Sequence, residues 1–297
     1  MTSSPSTPEP AFVGPRRKLM RRGLRHAGLM CGLVILLVIA SMAILAPFIA
    51  PFDPLEQDLL ARLQPPAWHP DGDWIHPLGT DQVGRDYLSR LIWGARVSLT
   101  IGIVVALMAG VIGVTLGLLA GYYGGKVDAV ITFLITARLS MPVILIALAV
   151  SAIMGTSLTV VTVTLGLLLW DRYALVMRAT TIQLRSNDFV TAAQLQGAST
   201  FQILYQEILP NLLNSLMVVA TLEMAQAIIL EAALSFLGLG VPAPTPSWGL
   251  MISEGKASIL FDPWLITIPG IALFLLVLAT NLAGDGLRDV TAPQGRN

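Results

Sequence analysis

Cysteine is almost absent: the 297 residues hold one, Cys31. No internal disulfide can form, and no cysteine-rich metal site. Cys31 falls in an apolar run and reads as a small apolar residue. Charge is also scarce. Asp, Glu, Lys and Arg make up 12% of the chain, against about 25% in soluble domains. The 18 basic residues balance 18 acidic ones, so bulk charge gives no case for a nucleic-acid or acidic partner. Lysine occurs only at 18, 126 and 256. Gly125-Lys126 is half of a phosphate-binding loop, but such a loop needs Gly where Ala120 stands and Ser or Thr where Val127 stands. The chain should bind no cofactor and hydrolyse no ATP itself. The three histidines all lie outside the apolar runs. No Ser/His/Asp set or zinc-protease pattern therefore falls within a span, which argues against an intramembrane enzyme.

Apolar sequence, in contrast, is plentiful. Hydrophobic residues make up 55%, and mean hydropathy is +0.74. This reads as an all-α integral membrane protein. Residues 1–27 form a basic tail with Arg16, Arg17, Lys18, Arg21, Arg22 and Arg25. The run 28–50 exceeds the roughly 7–15 residues of a signal-peptide core and reaches the ~20 that span a bilayer. It is expected to be a retained first helix with its basic end in the cytoplasm. Residues 51–96 are polar and acidic and read as an extracytoplasmic loop. Their loose group His69, Asp71, Asp73 and His76 has no diagnostic metal spacing and reads as solvated loop.

Residues 97–285 read as the transmembrane core, followed by a cytoplasmic tail, 286–297. Span two, 97–121, carries Gly110, Gly113, Gly117 and Gly121 near one face, a pattern for close helix packing. Span three, 127–154, is expected to kink at Pro142 and holds Arg138. Span four, 158–176, ends at an interface marked by Trp170-Asp171-Arg172. Span five, 212–237, holds Glu223 and Glu231 on roughly one face. A loop, 241–263, precedes span six, 264–282, with Trp248 and Trp264 expected in an interface belt. Arg138, Glu223 and Glu231 are the candidate pathway residues, because an ionisable group inside a membrane is functional by default. A hydrogen bond within the bundle is the competing reading. On this topology twelve Lys/Arg lie at the cytoplasmic side and five opposite, with Arg138 buried. That places both termini in the cytoplasm.

Between spans four and five lies DFVTAAQLQGASTFQILYQEILPN, residues 188–211. Its first half reads as a short helix in which Ala192, Ala193 and Gly197 expose backbone to a partner. Leu209-Pro210 reads as its end. The spacing Ala192-Ala193-x-x-x-Gly197, followed by Ile208-Leu209-Pro210, resembles the coupling loop of ABC-importer permeases, here within 186–211. A literal Glu231-Ala232-Ala233 has Leu237 at the glycine offset and lies in an apolar run, so it is not this loop. His76-Pro77-Leu78-Gly79-Thr80-Asp81 with Gly84-Arg85-Asp86, and Asn281-Leu282-x-Gly284-Asp285-Gly286-Leu287-Arg288-Asp289, are similar to hallmarks of dipeptide, oligopeptide and nickel importer permeases. The likeness is to the dipeptide permease C branch.

The resemblance implies a type I ABC importer permease fold of about six transmembrane helices in the bacterial cytoplasmic membrane. It implies one half of a translocation pathway for di- or oligopeptides or a related small solute. The implied partners are a second permease, two ABC ATPase subunits or domains that use ATP and Mg, and an extracytoplasmic binding protein, with membrane lipid around them and no nucleic acid. It gives the coupling contact to Asp188, Ala192, Ala193, Gln194, Gly197, Ala198, Ile208, Leu209 and Pro210. Gln194 and Gln206-Glu207 stand where the family usually has Arg and Arg-His, so the cognate ATPase groove is expected to be less acidic. The rival is an ion-driven secondary transporter relaying through Arg138, Glu223 and Glu231. No obvious inverted repeat supports it.

Overall fold

The computed structural model describes residues 22–291; most of the basic tail, and Arg296, lie outside them. All the regular elements among the described residues are helices. The longer ones are α1 (Ala27–Ile49), α2 (Tyr87–Tyr123), α3 (Gly125–Leu139), α4 (Val143–Met154), α5 (Leu158–Leu168), α6 (Asp171–Leu184), α7 (Asp188–Leu195), α8 (Leu209–Phe236), α9 (Trp248–Gly255) and α10 (Trp264–Thr291). Five helices or helix pairs are long and apolar enough to cross a membrane: α1, α2, α5 with α6, α8 with the turns before it, and α10. The bent pair α3–α4 makes up to six.

The spans alternate in direction. His26, at the start of α1, lies 3.2 Å from Asp289 near the end of α10, so both described chain ends share one end of the bundle. We call this the terminal end; it also carries α7. The opposite, loop end carries residues 51–86 and α9.

Small residues set the packing. A Cβ on Gly117 would stand 2.7 Å from the Ala174 carbonyl oxygen and the Met177 Cβ, and one on Gly121 would stand 2.6 Å from the Thr181 Cβ. Gly113 abuts Trp170 and Tyr173 as closely. The expected glycine stripe on α2 is therefore the seat of α6, backbone against backbone. Around it Ile101, Val105, Ala109, Val161, Leu165 and Tyr173 form the central core.

Several expected boundaries shift. Helix α2 begins at Tyr87, ten residues before the expected start of span two at 97. Asp86 caps it, accepting the Ser89 N–H at 2.7 Å. Arg90, on its first turns, is fully buried. The polar sequence hid a helix start whose charges are paired inside the protein. The third span does not merely kink. Helices α3 and α4 meet at 79° across Ser140-Met141-Pro142, since Pro142 cannot continue α3. The tail expected at 286–297 is helical through Thr291. Trp248 is not in an interface belt: it is fully buried and donates its indole N–H to the Leu91 carbonyl at 2.9 Å.

Trp170-Asp171-Arg172 is not an end either. The chain continues as α6 to Leu184, and Tyr173 donates to the Ala106 carbonyl at 3.0 Å. At 1.5 Å per residue, Gly113 lies about 15 Å from the end of α2 at Tyr123. Arg172 therefore sits near the middle of the apolar span Leu158–Leu184 and not at its edge.

Candidate functional site

Helix α7 is short because its sequence stops it. Gly197 has φ +80°, a left-handed conformation that glycine adopts without a Cβ penalty. Its N–H bonds the Gln194 carbonyl at 3.0 Å, and the Ala198 N–H bonds the Ala193 carbonyl at 3.1 Å. This is the two-bond glycine cap of a helix C-terminus. Gly197 thus lies just past the helix and ends it, instead of opening a groove within it. One residue later a new helix begins at Ser199. The Ser199 hydroxyl accepts the Gln202 N–H at 3.3 Å, and Gln202 Oε1 accepts the Ser199 N–H at 2.8 Å, a reciprocal capping box.

Leu209-Pro210 does not end the segment. The helix that starts at Thr200 runs on to Phe236, with Ile203–Ile208 wound as a wider π turn. Pro210 explains the π turn: it has no N–H, and its ring would clash with the carbonyl four residues back in an α-helix. The Leu209 N–H reaches back five residues to Leu204. Asn211 Nδ2 donates to the Glu207 carbonyl at 2.7 Å.

Val190 is fully buried, as are Ile208 and Leu212, and together they anchor α7 to the bundle. Its opposite face is open: Asp188, Thr191, Ala192 and Leu195 are exposed in one stripe of helical spacing. Leu195 is 84% exposed. Gln194 is exposed and lies 3.4 Å from the Tyr122 hydroxyl. Among the expected coupling residues, Ile208 points inward, Leu209 and Ala198 are half-buried, and Pro210 is exposed. The backbone around Gly197 has nothing within 4 Å of where a Cβ would be. The result is an open apolar knob beside a bare turn, followed within five residues by a helix that crosses the bundle.

The intramembrane charges separate into two groups. Arg138 donates Nε–H to the Leu168 carbonyl at 2.6 Å and stands 3.9 Å from Asp171. Arg172 Nη1 lies 3.4 Å from Glu223 Oε1. These four form a balanced cluster beside the α3–α4 break. Glu231 is apart, about 12 Å along α8 from Glu223 by helical rise. It is fully buried. Its Oε1 accepts the Ser235 hydroxyl at 2.8 Å and the Ser247 hydroxyl at 3.0 Å, which fastens the start of α9 to α8. Arg172 was missed as a charge within a span because the polar triplet read as a span end. Counting about 20 residues from the Gly155-Thr156-Ser157 turn would have placed it inside.

At the loop end, Asp81 receives Arg85 Nε–H at 2.6 Å and Arg90 Nη1–H. Glu254 of α9 meets Arg85 at 3.1 Å and Arg90 at 2.8 Å. The His/Asp group near residue 70 divides: His76 turns to Asp86 at 2.9 Å and His69 to Asp71 at 3.7 Å. Among the described residues no three such side chains gather for a metal.

Comparison with known proteins follows the same lines. Residues 113–296 match the binding-protein-dependent transport system inner membrane component family. Residues 14–66 match the N-terminal transmembrane domain of oligopeptide transport permease C. The chain is 41% identical to the dipeptide transport system permease protein DppC of Haemophilus influenzae, covering 91% of this chain and 92% of that one. It is 39% identical to the di/tripeptide transport system permease protein DppC of Pseudomonas aeruginosa, over 98% and 96%. It is also 39% identical to the glutathione transport system permease protein GsiD of Pectobacterium atrosepticum, over 94% and 91%. Among solved structures, an inward-facing form of the MetNI methionine ABC transporter aligns with TM-score 0.56 at 20% identity, over 68% of this chain and 97% of that one, which speaks to the fold. With a glycine-ended helix projecting from a bundle of membrane-spanning helices, and with relatives this similar over nearly its whole length, the chain belongs to the family of binding-protein-dependent transport system inner membrane components, as an ABC importer permease.

Proposed function

We propose that the chain forms half of the translocation pathway of an ATP-driven importer of di- or oligopeptides or a related small solute. The observation that carries this is α7: an exposed stripe ending in Leu195 and the bare Gly197 turn, joined within five residues to the helix that crosses the bundle. In this reading the stripe docks on a separate ATPase, which binds the ATP and Mg. The other partners are a second permease across the pathway and an extracytoplasmic binding protein at the loop end. Both chain ends and α7 face the cytoplasm. With Arg172 moved into the bundle, eleven Lys/Arg remain at that side by sequence position against five at the other. ATP closure of the ATPase pair moves α7, and differential contact in the two states shifts the bundle between inward and outward openings.

Two variants test the docking. Gly197→Val forces a β-branched residue into the left-handed region, at roughly 1–2 kcal/mol or more; Leu195→Asp puts a charge on the knob. Each is expected to lower ATP-driven peptide uptake at least ~10-fold and to lose the ATPase on affinity purification, while the chain still accumulates in the membrane. A chain that purifies alone and moves solute into liposomes without ATP would overturn the reading and favour an ion-driven carrier.

A further inference from the structure

Arg172 stands near the middle of the span Leu158–Leu184, yet its side chain is 58% exposed, while its partner Glu223 is 1% exposed. A guanidinium turned to lipid at that depth costs about 2.5–3.5 kcal/mol or more. Its open side must therefore meet water or a polar group. Its contact with Glu223 is made through Nη1, at 3.4 Å, so Glu223 does not hold the other donors of the fork. Glu223 holds one edge of the fork and leaves the rest presented.

A groove that neither residue lines runs along the same helices. Between α2, α6 and α8 lies a cavity of about 480 Å³, lined by Gly110, Val114, Tyr173, Leu213, Leu216 and Ala220 among others. Tyr173 adjoins Arg172 in sequence, and Glu223 lies one turn beyond Ala220 on α8. An apolar cavity within a helical turn of a charged fork can take an apolar side chain while the fork fixes one polar group.

We propose that Arg172, oriented by Glu223, is a solute-binding residue of the pathway: it holds the carboxylate of a passing peptide while the groove takes a side chain. This rests on the peptide-importer reading above. The relatives' named solutes, dipeptides, tripeptides and glutathione, all carry a free carboxylate. Charge balance favours a solute over a fixed carboxylate on the second permease. Arg138, Asp171, Arg172 and Glu223 already sum to zero, so a permanent extra carboxylate would leave an uncompensated charge in a poorly solvated place. A zwitterionic peptide adds no net charge.

The test uses the assembled importer in proteoliposomes with its binding protein, comparing ATP-driven uptake of a dipeptide with that of the same dipeptide amide. The binding protein's own preference is common to both chains and cancels in the ratio. Arg172→Gln is expected to lower the free-to-amide uptake ratio roughly 10–100-fold, the scale of one charged hydrogen-bonded contact. Arg172→Lys should restore part of the ratio, since a point charge lacks the fork. An unchanged ratio, or both solutes lost together, overturns the assignment. Loss of the second permease on purification of Arg172→Gln also overturns it and gives the residue to the subunit interface. If the unaltered complex imports no peptide at all, the function reading fails instead.

Discussion

Replacing Arg90 by methionine is expected to destabilise the chain by about 3–5 kcal/mol, the scale for breaking a buried ion pair from one side. Arg90 is fully buried. It bonds Asp81 and lies 2.8 Å from Glu254, so it ties the polar segment before α2 to α9. Removing it leaves two carboxylates facing Arg85 alone. The readout is thermal unfolding in detergent, followed through Trp248, whose indole N–H bonds Leu91, the next residue. A second variant guards the argument. In Arg90→Met with Asp81→Asn, Arg85 and Glu254 remain paired at 3.1 Å, and the Asn oxygen can still accept the Val83 and Arg85 backbone N–H groups that Asp81 holds at 2.9 and 3.0 Å. The double variant should recover much of the lost stability. A single variant within about 0.5 kcal/mol of the unaltered chain, the range of ordinary surface changes, would show that this network does not hold the loop end.

The second large effect is expected on the glycine stripe. At Gly117 a Cβ would stand 2.7 Å from a backbone oxygen of α6, and neither helix backbone can give way locally. Gly117→Ala should cost about 1–3 kcal/mol as overpacking, and Gly117→Leu should yield no monodisperse protein on size-exclusion chromatography. Gly110 is the internal control. Its Cβ would meet only the Tyr173 ring, at 3.5 Å, which is ordinary contact. Gly110→Ala should therefore purify like the unaltered chain. Equal behaviour of the 110 and 117 alanine variants would refute the backbone-to-backbone seat.

These cases also mark how far the sequence could be read. Apolar runs gave the spans, and small residues at every fourth position gave their packing face, because both signals are local. The short helix α7 was legible in position and in its glycine, but the reason for the glycine was not. Whether Gly197 opens a groove or ends a helix depends on φ, which spacing does not encode. Charges misled wherever tertiary pairing cancelled them. Arg90 looked like loop and is core; Arg172 looked like a boundary and lies inside, held by a glutamate 51 positions away. Pro210 misled for a related reason: a proline usually breaks a helix, but a π turn can absorb it.

That π turn gives the long helix from Thr200 to Phe236 the character of a screw with one thread cut wider than the rest. A π turn winds one more residue into the same loop than an α turn. The residues beyond it are therefore turned by about 100° from where an unbroken α-helix would set them. That offset aims Leu213, Leu216 and Ala220 at the groove and Glu223 at Arg172, and Pro210, which bars α pitch at this place, holds it there.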